Sequence, residues 1–223
     1  MNAPHQPAPH QPAPHPPVRI IVYAKAPRAG FAKTRLIPAL GAGGAAALAA
    51  RLLTHTLHEA MRAEVGKVEL CCTPLNDPLW QTLPLPSGLL VSDQEGGDLG
   101  ERLARAAHRS LAAGQPCILI GIDCPALDAQ ALREIAEHMR THDAVMVPAS
   151  DGGYVALGLR QFVPSIFTEM AWSTEVVAQE TLNRLARAGM SVHQMPVLHD
   201  IDEPADLQHL PLHWSQEHQH VIP

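Results

Sequence analysis

The sequence predicts an α/β fold in which helices cover a mostly parallel, mixed sheet. Three observations predict it. From Val18 onward, short β-branched runs alternate with longer amphipathic stretches. Most of the short runs are apolar at every position, as strands buried on both faces are. The longer stretches open on residues that cap helices. With 223 residues, 46% of them hydrophobic, the chain has apolar material for one sizeable core, so one domain suffices.

In chain order, residues 1–17 read MNAPHQPAPHQPAPHPP, a repeated HQPAP unit. Its prolines hold the backbone extended and leave nothing to bury, so a disordered tail is expected. His5, His10 and His15 recur five residues apart; a solvated array is the expectation, with transition-metal chelation as the alternative. The single domain is expected over residues 18–210, followed by a C-terminal tail over residues 211–223, and His209, His213, His218 and His220 are read the same way. Expected strands are Val18–Tyr23, Val68–Cys72, Leu89–Ser92, Cys117–Ile122, Ala144–Pro148, Tyr154–Leu159 and Ser191–Val197. Leu48, Leu52, Thr56, Leu57, Ala60 and Met61 recur at helical spacing. Asp98 with Glu101 matches a capping box ahead of Leu103, Ala107 and Leu111. Asp128 caps a helix carrying Leu132, Ile135 and Met139, and Ser173 or Thr174 caps one carrying Ala178, Leu182 and Leu185 that Gly189 ends.

Composition excludes several classes. A net charge of -6 with 16 Lys and Arg argues against a nucleic-acid or anionic-membrane partner, which needs a basic footprint. A small-molecule partner is expected instead. No apolar run approaches the roughly 20 residues of a membrane span, and the N-terminus lacks the basic start and apolar stretch of a signal peptide. The four cysteines form no C-x-x-C pair, and Cys71 and Cys72 are expected on opposite faces of a strand, so reduced thiols and a cytoplasmic location are expected.

In parallel sheets ligands sit at the carboxyl ends of the strands, so the residues after each strand carry the functional reading. After the first strand, Lys25 to Leu36 contains four cations and Gly30. It is not a P-loop, because Pro27 and Ala32 stand where that motif needs glycines. Lys33 and Arg35 can still clamp phosphates, Arg through bidentate contacts and Lys as a point charge, or the segment is a solvated turn before a helix. After the fourth strand, Asp123 in Gly121-Ile122-Asp123-Cys124-Pro125 is placed to hold Mg2+ or Mn2+ against phosphate oxygens, or is a turn residue. After the last strand, Asp200 and Asp202 alternate on one face, so Asp202 could share that metal while Asp206 opens a helix. Asp151-Gly152-Gly153-Tyr154 is either a plain hairpin turn or an acceptor pocket with Asp151 as base. The Gln94 to Gly100 loop is placed to cradle a base or ribose, although capping alone accounts for Asp98.

Taken in order, Lys25-x-Pro27 with Lys33-Thr34-Arg35-Leu36, Asp98-Leu99-Gly100-Glu101-Arg102, Gly121-x-Asp123-x-Pro125, Asp151-Gly152-Gly153-Tyr154, Trp172-Ser173-Thr174 and Asp200-x-Asp202-x-Pro204-x-Asp206-Leu207 form a joint pattern from Val18 to about Leu207. It resembles the GT-A-like nucleotide-diphospho-sugar transferase superfamily, and within it the rSAM/selenodomain-associated transferase 1 family. The resemblance implies Lys25, Lys33 and Arg35 on the phosphates and Mg2+ or Mn2+ on Asp123 and Asp202. The nucleotide side is then expected to involve Pro27, Gly30, Thr34, Asp98 and Gly100, and the acceptor side Gly152, Gly153, Tyr154 and Trp172, with Lys33, Arg35 and Asp151 in the chemistry. Lys25 to Leu36 is also similar to the phosphate loop of phospholactate guanylyltransferases, and Asp-x-Asp-x-Pro-x-Asp-Leu to a segment of molybdenum-cofactor nucleotidyltransferases. The chain departs from many GT-A glycosyltransferases in having Cys124 and Pro125 after Asp123, not Asp-x-Asp on one strand. The resemblance thus implies sugar transfer from a nucleoside diphosphate sugar to a small acceptor. The alternatives are nucleotidyl transfer with release of pyrophosphate and a nucleotide-binding regulator without turnover.

Overall fold

The computed structural model describes residues 16–216. The tail expected over residues 1–17 thus falls almost wholly outside the described residues, as do residues 217–223. Seven strands form one sheet: β1 (Arg19–Lys25), β2 (Val68–Thr73), β3 (Leu90–Asp93), β4 (Cys117–Ile120), β5 (Ala144–Pro148), β6 (Tyr154–Leu159) and β7 (Val192–Gln194). Their order is β3-β2-β1-β4-β6-β5-β7. Only β6 runs against the rest, antiparallel to both β4 and β5, while the other pairs are parallel. The five residues between β5 and β6 make this a hairpin, closed by Ala149 N–H on Gly153 O at 2.9 Å.

Helices cover both faces. The face carrying Ile20 and Val22 packs against α1 (Ile37–Ala63) through Leu53 and Leu57, and against α4 (Ala129–His138) through Leu132 and Ile135. Ile21 on the opposite face packs with α3 (Leu99–Ala112) through Leu103 and Ala107, and with α5 (Val177–Arg187) through Leu185. Cys71 and Cys72 divide between these two cores, and all four cysteines are free and buried. Two short helices, α2 (Leu79–Thr82) and α6 (Leu212–Gln216), complete the set. On α6, Trp214 is 4% exposed and packs with Leu36, Leu48, Leu52 and Ile201. Its apolar indole carries the packed chain past residue 210.

The caps show which local signals hold. Asp98 accepts from Glu101 N–H at 2.8 Å while Glu101 accepts from Asp98 N–H at 2.9 Å, a reciprocal capping box. Asp128 accepts from Ala131 N–H. The cap expected at Ser173 or Thr174 is corrected: α5 starts after Val176 without a side-chain cap, because Thr174 Oγ1 donates to Ala171 O and Ser173 sits at φ 63°. Helix α1 is long and apolar enough to cross a membrane by length and composition. Here its apolar face is core-forming: Leu48, Leu52, Leu53 and Leu57 are buried, and Gly41 at φ 69°, ψ 165° breaks its regularity.

Because six strands share one direction, Lys25, Asp93, Gly121, Ala149 and the segment leading to Asp200 all emerge at one edge of the sheet. An isolated bridge between Ala149 and Leu198 holds that last segment beside the β5–β6 hairpin.

Candidate functional site

At this edge lies a cleft of about 520 Å³. Lys25, Lys33, Thr34 and Arg35 line it from the β1 side, Asp123 from the end of β4, Asp151, Gly153 and Tyr154 from the hairpin, and Trp172 and Asp202 from later segments. These ten residues, read separately along the chain, share one space.

At its centre is Lys33. Its backbone is left-handed (φ 50°, ψ 42°), a conformation that costs about 1–3 kcal/mol for a non-glycine residue and persists where its surroundings over-determine it. The surroundings here are polar. Lys33 Nζ lies 2.5 Å from Asp123 Oδ1 and 2.7 Å from Asp202 Oδ1, and donates to Ile201 O at 2.5 Å. Its side chain is 7% exposed, whereas Asp123 and Asp202 are 41% and 39% exposed and open to the cleft. Burial alone would lower the lysine pKa, but the two carboxylates outweigh it and hold the ammonium charged, above its ordinary value. Desolvation pushes Asp123 up, opposed by Lys33. Lys33, expected on the phosphates, is paired here with two carboxylates.

The backbone fixes this pairing. Ile201, fully buried among Leu36, Leu48 and Leu52, donates from its N–H to Asp123 O at 2.8 Å. Asp206 Oδ2 accepts from the N–H groups of Asp202 and Glu203 at 3.0 and 2.6 Å, so Asp206 is the structural member of the acidic run. Beside them Asp200 is pushed up to about 6 by desolvation, then by Asp151, Asp202 and Asp123. Carboxylates from three segments thus crowd one point. The donor set is all oxygen and anionic, the chemistry of a Mg2+ or Mn2+ site, and Asp123 and Asp202 are the residues that would hold such a cation.

The basic side of the cleft is more open. Lys25 is exposed at the end of β1, and Arg35, 59% exposed, has Glu203 at 3.5 Å as its ion-pair partner. Tyr23, Leu99 and Leu103 add an apolar wall. Tyr154 Oη and Trp172 Nε1 are buried with no hydrogen-bond partner among the described residues, a rarity in folded proteins that marks positions worth testing for function. Asp151 is exposed and accepts from Gly153 N–H at 2.7 Å.

Five expected site residues do not line the cleft, and each has another physical reason. Pro27 is buried in the turn after β1, and Gly30 supplies φ 75° there. Asp98 is committed to its capping box. A Cβ on Gly100 would meet Phe167 O at 2.2 Å, and one on Gly152 would meet Glu175 O at 2.2 Å, so packing demands both glycines. Phe31 and Tyr23 line the cleft without having been singled out as site residues, and Gln94 and Leu99 line it from the loop expected to cradle a base or ribose. Gln94 is occupied structurally, donating to Ala24 O and Cys71 O across the ends of β1 and β2. No sequence signal separates such a bridging amide from a ligand-binding one.

Residues 56–174 match the family described as "Uncharacterized protein conserved in bacteria (DUF2064)". No protein of curated function matches the sequence. Among solved structures, a candidate nucleotide-diphospho-sugar transferase from Desulfovibrio desulfuricans G20 is 29% identical, with a TM-score of 0.81 over 87% of this chain and 86% of that one. A nucleotidyl transferase from Methanothermobacter is 14% identical, with a TM-score of 0.60 over 90% of this chain and 98% of that one. A 4-diphosphocytidyl-2C-methyl-D-erythritol synthase from Anaerococcus prevotii is 10% identical, with a TM-score of 0.56 over 91% and 100%. At such identities the last two show a shared fold. The fold expected from the motifs is therefore observed, while the narrower rSAM-associated name stays a resemblance of motifs.

Proposed function

The chain belongs to the DUF2064 family, and from the chemistry of its cleft we propose that it is a metal-dependent transferase that takes a nucleotide-activated donor and moves a sugar from it to a small acceptor. The observation that carries this reading is the meeting of Asp123 and Asp202, 79 positions apart in sequence, around one cationic position in a cleft edged by Lys25 and Arg35. Likeness to the Desulfovibrio protein, named for nucleotide-diphospho-sugar transfer, supports the donor class.

Asp123 and Asp202 would hold Mg2+ or Mn2+, which supplies charge neutralisation for the diphosphate leaving group. Lys25 and Arg35 would bind the phosphate oxygens, Arg35 giving up its exposed partner Glu203 in exchange for a doubly charged acceptor. Lys33, released from one carboxylate, would keep its ammonium within reach of the same oxygens and stabilise charge as it develops there. Tyr23, Leu99 and Leu103 offer an apolar face for the base or sugar. Asp151, exposed at the hairpin tip, would accept the proton of the attacking hydroxyl.

Nucleotidyl transfer is the second reading, supported by the fold shared with the Methanothermobacter and Anaerococcus enzymes. It would use the same cations and carboxylates on a nucleoside triphosphate. Thermal-shift binding separates the two, because a ligand that binds only the folded state raises the melting temperature by mass action. The panel is nucleoside diphosphates, diphosphate sugars and triphosphates, each with and without Mg2+ or Mn2+. A metal-dependent rise with a diphosphate and its sugar conjugate is expected. A rise with triphosphates alone would replace sugar transfer by nucleotidyl transfer.

A further inference from the structure

A second group of ligating side chains lies away from the cleft. α4 ends at His138, one helical turn before His142, and His193 stands in the edge strand β7. Their ligating atoms all lie within 4.8 Å of one another. His193 is in register with Val145 of β5 and faces the α4 side of the sheet, as Met195 two residues on does. Since α4 leads directly into the start of β5, the three rings sit at the edge of the sheet opposite the cleft. The rings of His138 and His193 stack at 3.6 Å between centroids, and His142 lies 5.3 Å from His193.

The His142 ring is held by neighbouring polar groups. Its Nδ1 lies 3.2 Å from His138 O and 3.0 Å from Thr141 Oγ1, and in the tautomer in which Nδ1–H donates to the carbonyl the lone pair is on Nε2. Metal-bound histidines are held in this way, with the second nitrogen donating to a carbonyl or carboxylate. The nearest cationic side chain in sequence, Arg140, is paired with Glu137 at 3.1 Å.

We propose that His138, His142 and His193 form a metal site for a borderline divalent transition cation of the Zn2+, Co2+ or Ni2+ class, which ties the edge strand β7 to the C-terminal end of α4. Three neutral imidazoles suit these cations and not Mg2+ or Ca2+, so the site is chemically distinct from the carboxylate cluster of the cleft. Nitrogens sharing one tetrahedral zinc at about 2.1 Å lie roughly 3.4 Å apart, so binding turns the stacked rings of His138 and His193, 15° from parallel, until their lone pairs converge on the ion. The fourth position is left to water. The consequence is structural: β7 pairs with the sheet on one side only, and it leads into the segment carrying Asp200 and Asp202.

The test titrates Co2+ into the full chain, reading the visible bands of four-coordinate cobalt, and measures the melting temperature with and without Zn2+. Four chains are compared: the natural one, His142→Asn, His193→Asn, and one with His5, His10, His15, His218 and His220 all changed to Asn. The natural chain and the terminal variant are expected to bind one cobalt with those bands and to gain stability with Zn2+. Both single variants are expected to lose at least about tenfold in affinity, a change of about 1.4 kcal/mol, together with the zinc-dependent stabilisation. The metal-free melting temperature reports that each is folded, and Mn2+-dependent nucleotide binding is unchanged in both. Natural affinity in the two single variants, loss of cobalt in the terminal variant, or no zinc effect on the natural chain would overturn the site.

Discussion

Lys33 condenses the residue-scale argument into one atom. Its ammonium pairs with Asp123 and Asp202, the two carboxylates that would hold a divalent cation. Lysine and metal therefore compete for the same carboxylates, and Lys33→Met is expected to tighten Mn2+ binding to the nucleotide-free protein while weakening the metal-dependent binding of a nucleoside diphosphate. Calorimetric titration of each ligand checks both signs. Arg35→Ala is expected to cost roughly tenfold in diphosphate affinity, the lower end of what a charge-assisted hydrogen bond contributes, because the side chain is largely exposed. Asp123, Asp202 and Arg35 were singled out in sequence because Asp123 follows an apolar run, Asp202 alternates with Asp200, and Arg35 sits in a basic loop of an acidic chain. The Lys33 contacts were not: they join residues 169 positions apart through a left-handed turn that no local pattern announces. Gly100 and Gly152 were legible as glycines of consequence, but their reason is a neighbouring backbone oxygen, which only the fold supplies.

Among the elements, helices announced themselves through caps and strands through apolar runs. The capping box of α3 satisfies donors that the helix would otherwise leave open, and Asp98→Ala is expected to cost about 1 kcal/mol, read as a lowered denaturation midpoint with an unchanged slope. Gly152→Ala is expected to cost more, about 1–3 kcal/mol, because φ is 89° and the new methyl group meets Glu175. The α5 cap was misread because Ser and Thr hydroxyls serve local turns as readily as helix ends, and Thr174 here bonds Ala171 O. A plain hairpin turn was one reading of Asp151 to Tyr154, but the sheet was expected to be mostly parallel without a direction assigned to β6. Only pairing with both β4 and β5 decides it, since an apolar run looks the same in either direction.

For the whole molecule, the sheet order brings distant segments to one edge, and a buried charge cluster helps hold the opposite half of the sheet. Glu69 on β2 is 3% exposed and accepts from Arg19 at 3.0 Å, from Ser92 at 2.6 Å and from Arg109. Burial alone would raise its pKa, but these donors outweigh burial and hold it below the ordinary glutamate value. A carboxylate depressed in the folded state contributes stability above its unfolded pKa of about 4.3, lost as pH falls through the folded value. Melting temperatures between pH 7 and pH 3 are expected to fall less steeply for Glu69→Gln than for the natural chain, although the variant starts lower. The account turns most of all on one cation held between Asp123 and Asp202. Titrating a nucleoside diphosphate in the presence and absence of Mn2+ into the natural chain, Asp123→Asn and Asp202→Asn tests it most directly. The account predicts metal-dependent binding in the natural chain, reduced by more than about tenfold, or about 1.4 kcal/mol, in each variant. Undiminished metal-dependent binding in both variants would contradict it.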